Sequence, residues 1–401
     1  MTDKRWNDDI AYSFFTHRIF LRIYGLWPLQ TQTVFTNIRW NLFLIAQFMI
    51  LPFLLVDSFW SDQNAGSNIE NILYFTSTVT GIIKNVCVRI NQKKLATNIN
   101  AAIDDWLSAK DNKETQMIMK KYALKARMLT FTLLYSAVGC FSIYVLAIVF
   151  INLQQIYFMD ENLVDANTTN WILFIPCGPL SKSINGLQFV IILVIQILQT
   201  ISLCIILSIV DTFFFTMTIH LAGQLEVLRK KFTTFANEPD TEANYRKKFV
   251  SLINRHSKLT EFYQNLEDTF NFLILSQLVS TTIMIALVGM RINLCINEKN
   301  HIELTKSVLV LNYLFMQSLI FTYAGDFLQT KSEDIFHALY ATSWFTLPLA
   351  LMKDLHFAMM RSSVLLRLTG GKFFYVNRET MMYMLKTSAS YVSVLRIALR
   401  N

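Results

Sequence analysis

The chain has 401 residues, of which 53% are hydrophobic and only 16% are charged. A soluble domain usually has about 25% charged residues, so this composition excludes a surface that faces water throughout. With only 11 glycines and 6 prolines, the chain lacks the frequent turns of a β-barrel. The net charge of +8 lies in loops between apolar segments, and this indicates that the partner is a lipid bilayer and not a nucleic acid. The composition therefore predicts an all-α membrane protein.

Seven stretches are long and apolar enough to cross a bilayer, because a spanning helix needs about 20 mostly apolar residues. In chain order they are 38–59, 69–90, 128–151, 187–209, 270–290, 304–327 and 377–399. The last is the most polar and includes Lys386 and Arg396, so it would be unstable with lipid on every side. Lys84 and Asp211 lie near the ends of predicted spans, where we expect their side chains to reach toward the headgroups.

Basic residues divide the loops between these spans into two groups. Four segments contain 25 Lys and Arg residues in total, whereas the other three contain 3. By the positive-inside rule the basic group is cytoplasmic, which predicts a cytoplasmic N-terminus and an extracellular C-terminus, the reverse of a G-protein-coupled receptor. The basic group comprises 1–37, 91–127, 221–265 and 328–376, and the other comprises 60–68, 152–186 and 291–303.

The predicted cytoplasmic segments have helical patterns of their own. Leu221, Leu225 and Leu228 recur at helical spacing, 237–240 predicts a turn, and an apolar stripe resumes at Phe249. We expect these segments to pack as a helical anchor bundle below the membrane. The predicted organisation is a cytoplasmic segment 1–37, six spans over 38–327 with helical extensions at 91–127 and 221–265, an anchor segment 328–376, and a last span within 377–401.

Motifs for catalysis, cofactors or metals are missing from the sequence. It has no phosphate-binding or dinucleotide-binding glycine pattern, no nucleophile elbow, and no His or Cys spacing typical of a metal site. We therefore expect no enzyme activity, no cofactor and no metal. The single N-glycosylation sequon, at Asn167, falls in a predicted outer loop, and a disulfide between Cys177 and Cys295 is left open. A transporter or a membrane scaffold also stays open, although the spans lack the chain of acidic residues that proton-coupled transport would need.

Several segments of the C-terminal third share one pattern. Residues 332–340, followed by Trp344, fit S-x-x-I-x-x-A-x-Y-x-x-x-W, and Arg361-Ser362 precedes an L-T-G-G-K-F run at 368–373. These segments, with Gly-Leu-Trp-Pro at 25–28, resemble the insect odorant receptor family along the length of the chain. The T-Y-x5-Q-F ending of the related gustatory receptors is missing, which favours the odorant branch.

The resemblance implies an odorant-binding subunit of a heteromeric, ligand-gated, non-selective cation channel in the plasma membrane of olfactory sensory neuron dendrites. Its expected partners are subunits of the odorant co-receptor, in a heterotetramer, and a small volatile hydrophobic ligand. A gustatory-type receptor channel that acts without the co-receptor is the alternative.

The resemblance also implies positions for two sites. A ligand pocket is expected in the outer halves of the second, third, fourth and sixth spans, and the seventh span is expected to line the pore. The pocket candidates are Leu73, Tyr74, Phe75, Ser136, Gly139, Ile143, Phe189, Val190, Val194, Tyr313 and Met316. The pore-gate candidates are Val394, Ile397 and Ala398, the first and last of which share one helix face.

Overall fold

The computed structural model describes residues 6–60, 65–158, 186–235 and 241–398. Over these ranges the chain is almost entirely helical, with one two-stranded antiparallel sheet and a short 3-10 turn at Trp344–Thr346. The strands are β1 (Thr369–Gly370) and β2 (Phe374–Tyr375). The helices are α1 (Asp8–Ile23), α2 (Val34–Trp60), α3 (Ala65–Ile90), α4 (Gln92–Ser108), α5 (Lys113–Phe158), α6 (Gly186–Thr234), α7 (Glu242–Asn297), α8 (His301–Tyr340), α9 (Leu349–Ser362) and α10 (Arg378–Ala398).

Five helices of the described part, α2, α5, α6, α7 and α8, are long and apolar enough to cross a membrane. The other two predicted spans correspond to α3 and α10, whose 26 and 21 residues reach across a hydrocarbon core of about 30 Å. Both are more polar than the first five: α3 contains Glu70, Lys84 and Arg89, and α10 contains Lys386. The seven predicted spans are therefore all helical, and the charges of α3 and α10 need partners other than lipid.

Four of the spanning helices continue well beyond any bilayer. The helices α5, α6, α7 and α8 have 46, 49, 56 and 40 residues, so α7 is about 84 Å long. Their extensions pack with α1, α4 and α9 at one end of the molecule, called the inner end after the predicted orientation; the opposite end is called the outer end. The predicted turn at 237–240 lies outside the described residues.

The inner part of α6 forms the centre of the molecule. Phe213, Phe214 and Phe215 are completely buried, as are their neighbours on all sides of the helix. The Phe214 ring lies 5.0 Å from Phe270 of α7 and 5.3 Å from Phe321 of α8, centroid to centroid. A helical stretch that is buried on every side is surrounded by other helices, so this part of α6 fixes how α7 and α8 pack.

A polar cluster joins three helices of the inner bundle. Asp105 of α4 lies 3.1 Å from the imidazole Nε2 of His220 on α6, and it accepts a 2.6 Å hydrogen bond from Arg255 of α7. Arg255 also donates to the Gln224 amide oxygen at 3.0 Å. Burial by itself would raise the pKa of Asp105, but the hydrogen bonds with His220 and Arg255 and the positive charge of Arg255 outweigh burial and lower it.

The short sheet leads the chain into α10. Thr369 pairs with Tyr375 and Gly370 with Phe374, and the turn between them has positive φ at Gly371 (59°) and Lys372 (64°). The backbone N–H of Gly371 donates to the Asn271 carbonyl of α7 at 2.8 Å, and that of Thr369 donates to the Glu267 carboxylate at 3.1 Å. The 368–373 motif therefore forms a hairpin that is fixed to α7 and sets the start of α10.

Candidate functional site

A cavity of about 180 Å³ lies among α3, α5, α6, α7 and α8. Its wall is mostly apolar and includes Leu73, Phe141, Leu203, Met284 and Leu314. For scale, an apolar protein cavity of about 150 Å³ holds one benzene molecule. A space of this size and lining fits a small apolar molecule, which it would bind mainly by burying hydrophobic area.

Each helix presents one stripe of side chains to the cavity. On α3 the stripe is Glu70, Leu73, Tyr74, Ser77 and Thr80, which recur every three or four residues and so lie on one face. The stripe of α8 has the same spacing and consists of Lys306, Ser307, Val310, Tyr313, Leu314 and Gln317. Because α7 and α8 are antiparallel neighbours, the last residues of the α7 stripe meet the first residues of the α8 stripe at the outer end.

A network of charges lines the outer end of the cavity. Arg291 of α7 donates to the Glu70 carboxylate at 3.0 Å and to the Glu303 carboxylate at 2.5 Å. Lys306 pairs with Glu303 at 2.6 Å, and its ammonium lies 4.4 Å from the centroid of the Tyr144 ring. The Tyr144 hydroxyl donates to Glu70. Two cations and two carboxylates balance one another here, so this end is polar without a net charge.

A second polar group lies at the inner end. The Tyr313 hydroxyl is 3.1 Å from the Ser208 hydroxyl, and the Gln317 amide donates to the Asp211 carboxylate at 2.6 Å. The other oxygen of Asp211 is 2.6 Å from the Lys84 ammonium, and both side chains are completely buried. The expectation that Lys84 and Asp211 reach toward headgroups is therefore wrong, because each charge has an opposite charge in contact inside the bundle.

Three of the eleven predicted pocket residues, Leu73, Tyr74 and Tyr313, line the cavity. On α5 the structure brings Ala137, Cys140, Phe141 and Tyr144 to the wall in place of the predicted Ser136, Gly139 and Ile143. The two sets are offset by about one residue, which is a rotation of about 100° around the helix axis. Ile143 accordingly lies on the outer surface of the bundle.

The remaining predicted pocket residues lie elsewhere. On α6, Val190 and Val194 are exposed on the bundle surface, and Phe189 is buried away from the cavity. Phe75 packs against the small cluster around Ile50, and Met316 packs against the main core. The cavity wall on α6 begins about ten residues further along, and it consists of Thr200, Leu203, Cys204 and Leu207.

The helix α7 was not predicted from the sequence to form part of the cavity wall. It contributes Gln277, Met284, Val288 and Arg291. One signal was present in the sequence, since Gln277 is a polar residue inside a predicted span and such residues face the interior of a bundle.

The predicted pore gate and the outer-loop features lie only partly in the described residues. Val394 is 64% exposed on α10; Ile397 and Ala398 end this helix, and their side chains lie outside the described part. Asn167 and Cys177 also lie outside it, whereas Cys295 is buried near the end of α7. Glycosylation therefore stays a prediction, and the Cys177–Cys295 pair stays open. The described residues contain no group of three or more His, Cys, Asp or Glu placed to hold a metal ion.

Comparisons with known proteins agree with one another. A family model described as 7tm Odorant receptor matches residues 64–389. Odorant receptor 10 of Aedes albopictus is 22% identical over 81% of this chain and 82% of its own length, and Odorant receptor 13a of Drosophila melanogaster is 22% identical over 96% of both. The solved structure of the insect olfactory receptor OR5 from Machilis hrabei superposes with a TM-score of 0.81 at 16% identity, covering 97% of this chain and 99% of that one.

A second structure of the same receptor, in complex with eugenol, superposes with a TM-score of 0.74 at 16% identity over 98% of this chain and 100% of that one. Together these matches confirm the predicted all-α membrane fold with seven spanning helices.

Proposed function

From the premise that the chain belongs to the 7tm odorant receptor family, and is a membrane receptor and not an enzyme, we propose that it is the odorant-binding subunit of a ligand-gated, non-selective cation channel. In this proposal the other subunits are copies of an odorant co-receptor, and the assembly is a heterotetramer in the plasma membrane of olfactory sensory neuron dendrites.

The cavity among α3, α5, α6, α7 and α8 is the observation that carries the proposal. Its size and apolar wall suit a small volatile hydrophobic molecule, and a receptor of the same fold has been solved with eugenol. Polar groups at the two ends would orient such a molecule, while the apolar wall would supply most of the binding free energy at about 25 cal/mol per Å² of buried apolar area.

The exposed face of α10 supports assembly around a pore. One face of α10 packs on α7 and α8, where the Ser388 hydroxyl donates to the Thr282 carbonyl at 3.0 Å. The opposite face is uncovered and includes Tyr383, Lys386, Ser390 and Val394. A helix face with these polar groups is costly against lipid, so it needs water or other subunits beside it, as a central pore would provide.

Co-expression with an odorant co-receptor in a cell that lacks native receptors tests the proposal. A broad panel of volatile compounds that includes eugenol should evoke a cation current. Silence across the panel, despite surface expression, would contradict the receptor function, and a current without the co-receptor would contradict the heteromeric assembly.

A pair of neighbouring substitutions links the current to the cavity. Ala137→Phe places a large side chain in the cavity wall and should reduce the sensitivity to the active compound about tenfold or more, because the space for the ligand shrinks. Val138→Phe, on the exposed side of the same helix, should leave the response unchanged. Equal responses of the two variants, at equal surface expression, would place the ligand elsewhere.

A further inference from the structure

A buried acceptor without a partner lies in the cavity wall. Gln277 of α7 is only 3% exposed, and its amide Nε2 donates to the Thr281 hydroxyl at 2.8 Å. Its carbonyl oxygen, Oε1, is also buried but accepts no hydrogen bond. Buried polar atoms are nearly always paired, so a single unpaired one at the edge of a cavity points to a group that the cavity receives.

The other polar side chains of the cavity wall do not have this feature. Among the described residues that line the cavity, Gln277 is the one with a buried, unpartnered side-chain nitrogen or oxygen. Tyr313 and Gln317, near it at the inner end, are held by Ser208 and Asp211. At the outer end, Arg291 and Lys306 are held by carboxylates. A ligand that bonded to one of these groups would have to displace a partner, whereas Gln277 Oε1 has no partner to displace.

We propose that Gln277 Oε1 accepts a hydrogen bond from the hydroxyl group of a small, otherwise apolar alcohol or phenol. The inference rests on the proposed function and adds a ligand class to it. With the hydroxyl at Gln277, the apolar body of the ligand lies along the wall formed by Leu73, Met284 and Val288 toward the outer end. Ethers, ketones and hydrocarbons of the same shape have no proton to donate, so they leave Oε1 unpaired.

The charges around the cavity argue against a cationic amine as the donor. Asp211, the carboxylate next to the inner end, is already neutralised by Lys84 and accepts from Gln317. Glu70, the carboxylate in the wall itself, is held by Arg291 and Tyr144. An ammonium group would therefore be buried without a counter-charge, which is far more costly than the burial of a neutral hydroxyl.

Matched pairs of compounds test the ligand class in the wild-type receptor. Eugenol is compared with methyl eugenol, and benzyl alcohol with benzyl methyl ether, by equilibrium binding to the full chain, purified with its co-receptor in lipid nanodiscs. The hydroxyl member of a pair that binds should bind about 3- to 10-fold more tightly, the gain typical of one buried hydrogen bond. An equal or weaker affinity of the hydroxyl member overturns the inference.

Substitutions then assign the preference to Gln277. Gln277→Leu removes the acceptor at nearly constant volume and should bring the affinity ratio within each pair to about one; Gln277→Met is the alternative should the Leu variant fold poorly. Gln47 provides a matched control, because it is also a buried glutamine with an unpartnered Oε1 but does not line the cavity. Gln47→Leu should keep the wild-type ratio.

The outcomes separate this inference from the proposed function. If the Gln277 variants bind the compounds and retain the preference for the hydroxyl member, the inference is overturned while the receptor function stands. If no compound binds the wild-type receptor and none evokes a current, the proposed function fails and the inference fails with it.

Discussion

Lys84 and Asp211 show how a charged pair can be accommodated inside a membrane bundle. Each side chain is completely buried, and their 2.6 Å contact is extended by the hydrogen bond from Gln317 to Asp211. The desolvation of two charges roughly cancels their attraction, so such a pair adds little net stability. Removal of one partner leaves the other charge buried alone, which is strongly destabilising.

Lys84→Met should therefore destabilise the receptor by about 3–5 kcal/mol. The measurement is the midpoint of thermal denaturation of the detergent-solubilised protein, followed by fluorescence-detected size-exclusion chromatography. A double variant with Asp211→Asn, which removes the orphaned charge but keeps an acceptor for Gln317, should recover much of the loss.

The exposed pair Lys94–Asp268 is the control for this prediction, because both side chains are nearly half exposed at a separation of 2.8 Å. Lys94→Met should cost less than about 1 kcal/mol, as solvent screens the exposed charges. Similar losses for the two lysine variants would mean that the Lys84–Asp211 pair is not a desolvated one.

At the scale of the helices, the sequence predicted which segments span but not which way they face. Their existence follows from the length and apolarity of each run, and all seven predicted spans are helical. The facing of α5 and α6 could not be predicted, because their apolar residues are spread around the whole helix and form no stripe. On α3 and α8, Glu70, Tyr74, Tyr313 and Gln317 interrupt the apolar residues at helical spacing, and on these helices three of the five predicted pocket residues line the cavity.

Contacts between segments that are distant in the chain also could not be predicted from the sequence. The partner of Lys84 is 127 residues away, and the hairpin before α10 bonds to α7, about 100 residues earlier. Hydropathy treats each charge and each loop separately, so it cannot show which of them meet. The charge network at the outer end of the cavity could not be predicted for the same reason, since Glu70 lies on α3 and its partner Arg291 lies on α7.

The close approach of α8 to the start of α10 makes a prediction about Gly325. A Cβ atom at this position would overlap the backbone carbonyl of Val376, which precedes α10 and cannot rotate away as a side chain could. Gly325→Ala should therefore destabilise the receptor by about 1–3 kcal/mol and push α10 away from α8. Thermal denaturation measures the first effect, and a changed basal leak current measures the second.

Gly139 on α5 is the matched glycine, because a Cβ atom there meets no other atom within 4 Å. Gly139→Ala should be neutral or stabilise the protein by about 0.5–1 kcal/mol, since alanine is the better residue within a helix. A gain in stability of the same size for Gly325→Ala would show that α8 does not contact the backbone of Val376 at this point.

For the whole molecule, the uncovered face of α10 matters most, because polar side chains of a predicted span are exposed on it. Lys84 and Glu70 of α3 are paired within the chain, with Asp211 and Arg291 respectively. On α10, Lys386 and Ser390 are exposed, so their environment must come from water or from neighbouring subunits. The match to the odorant receptor family confirms the resemblance found in the sequence, whereas the orientation in the membrane stays a prediction.

Cysteine accessibility distinguishes a water-filled pore from lipid at this face. In receptors that contain the co-receptor, Val394→Cys should react with a charged, membrane-impermeant methanethiosulfonate, and the evoked current should change at least twofold relative to wild type. Two controls define the comparison: Ser388→Cys on the packed face of α10, where Ser388 is 1% exposed, and Val190→Cys in the apolar predicted span of α6, where Val190 is 53% exposed. Neither should react, and equal reaction of Val190→Cys and Val394→Cys would argue against a pore along α10.

The unbroken length of α7 has a mechanical consequence. The helix continues from the cavity wall at Met284 to Glu242 in the inner bundle, about 63 Å away at 1.5 Å per residue. Over that distance a tilt of about 2° at the cavity moves the far end by about 2 Å. In the proposed function, the short arm of this helix touches the ligand, and α10 packs against the same helix. For a rigid helix, a shift of the cavity wall by a fraction of an ångström corresponds to a displacement of the inner end by more than the length of a covalent bond.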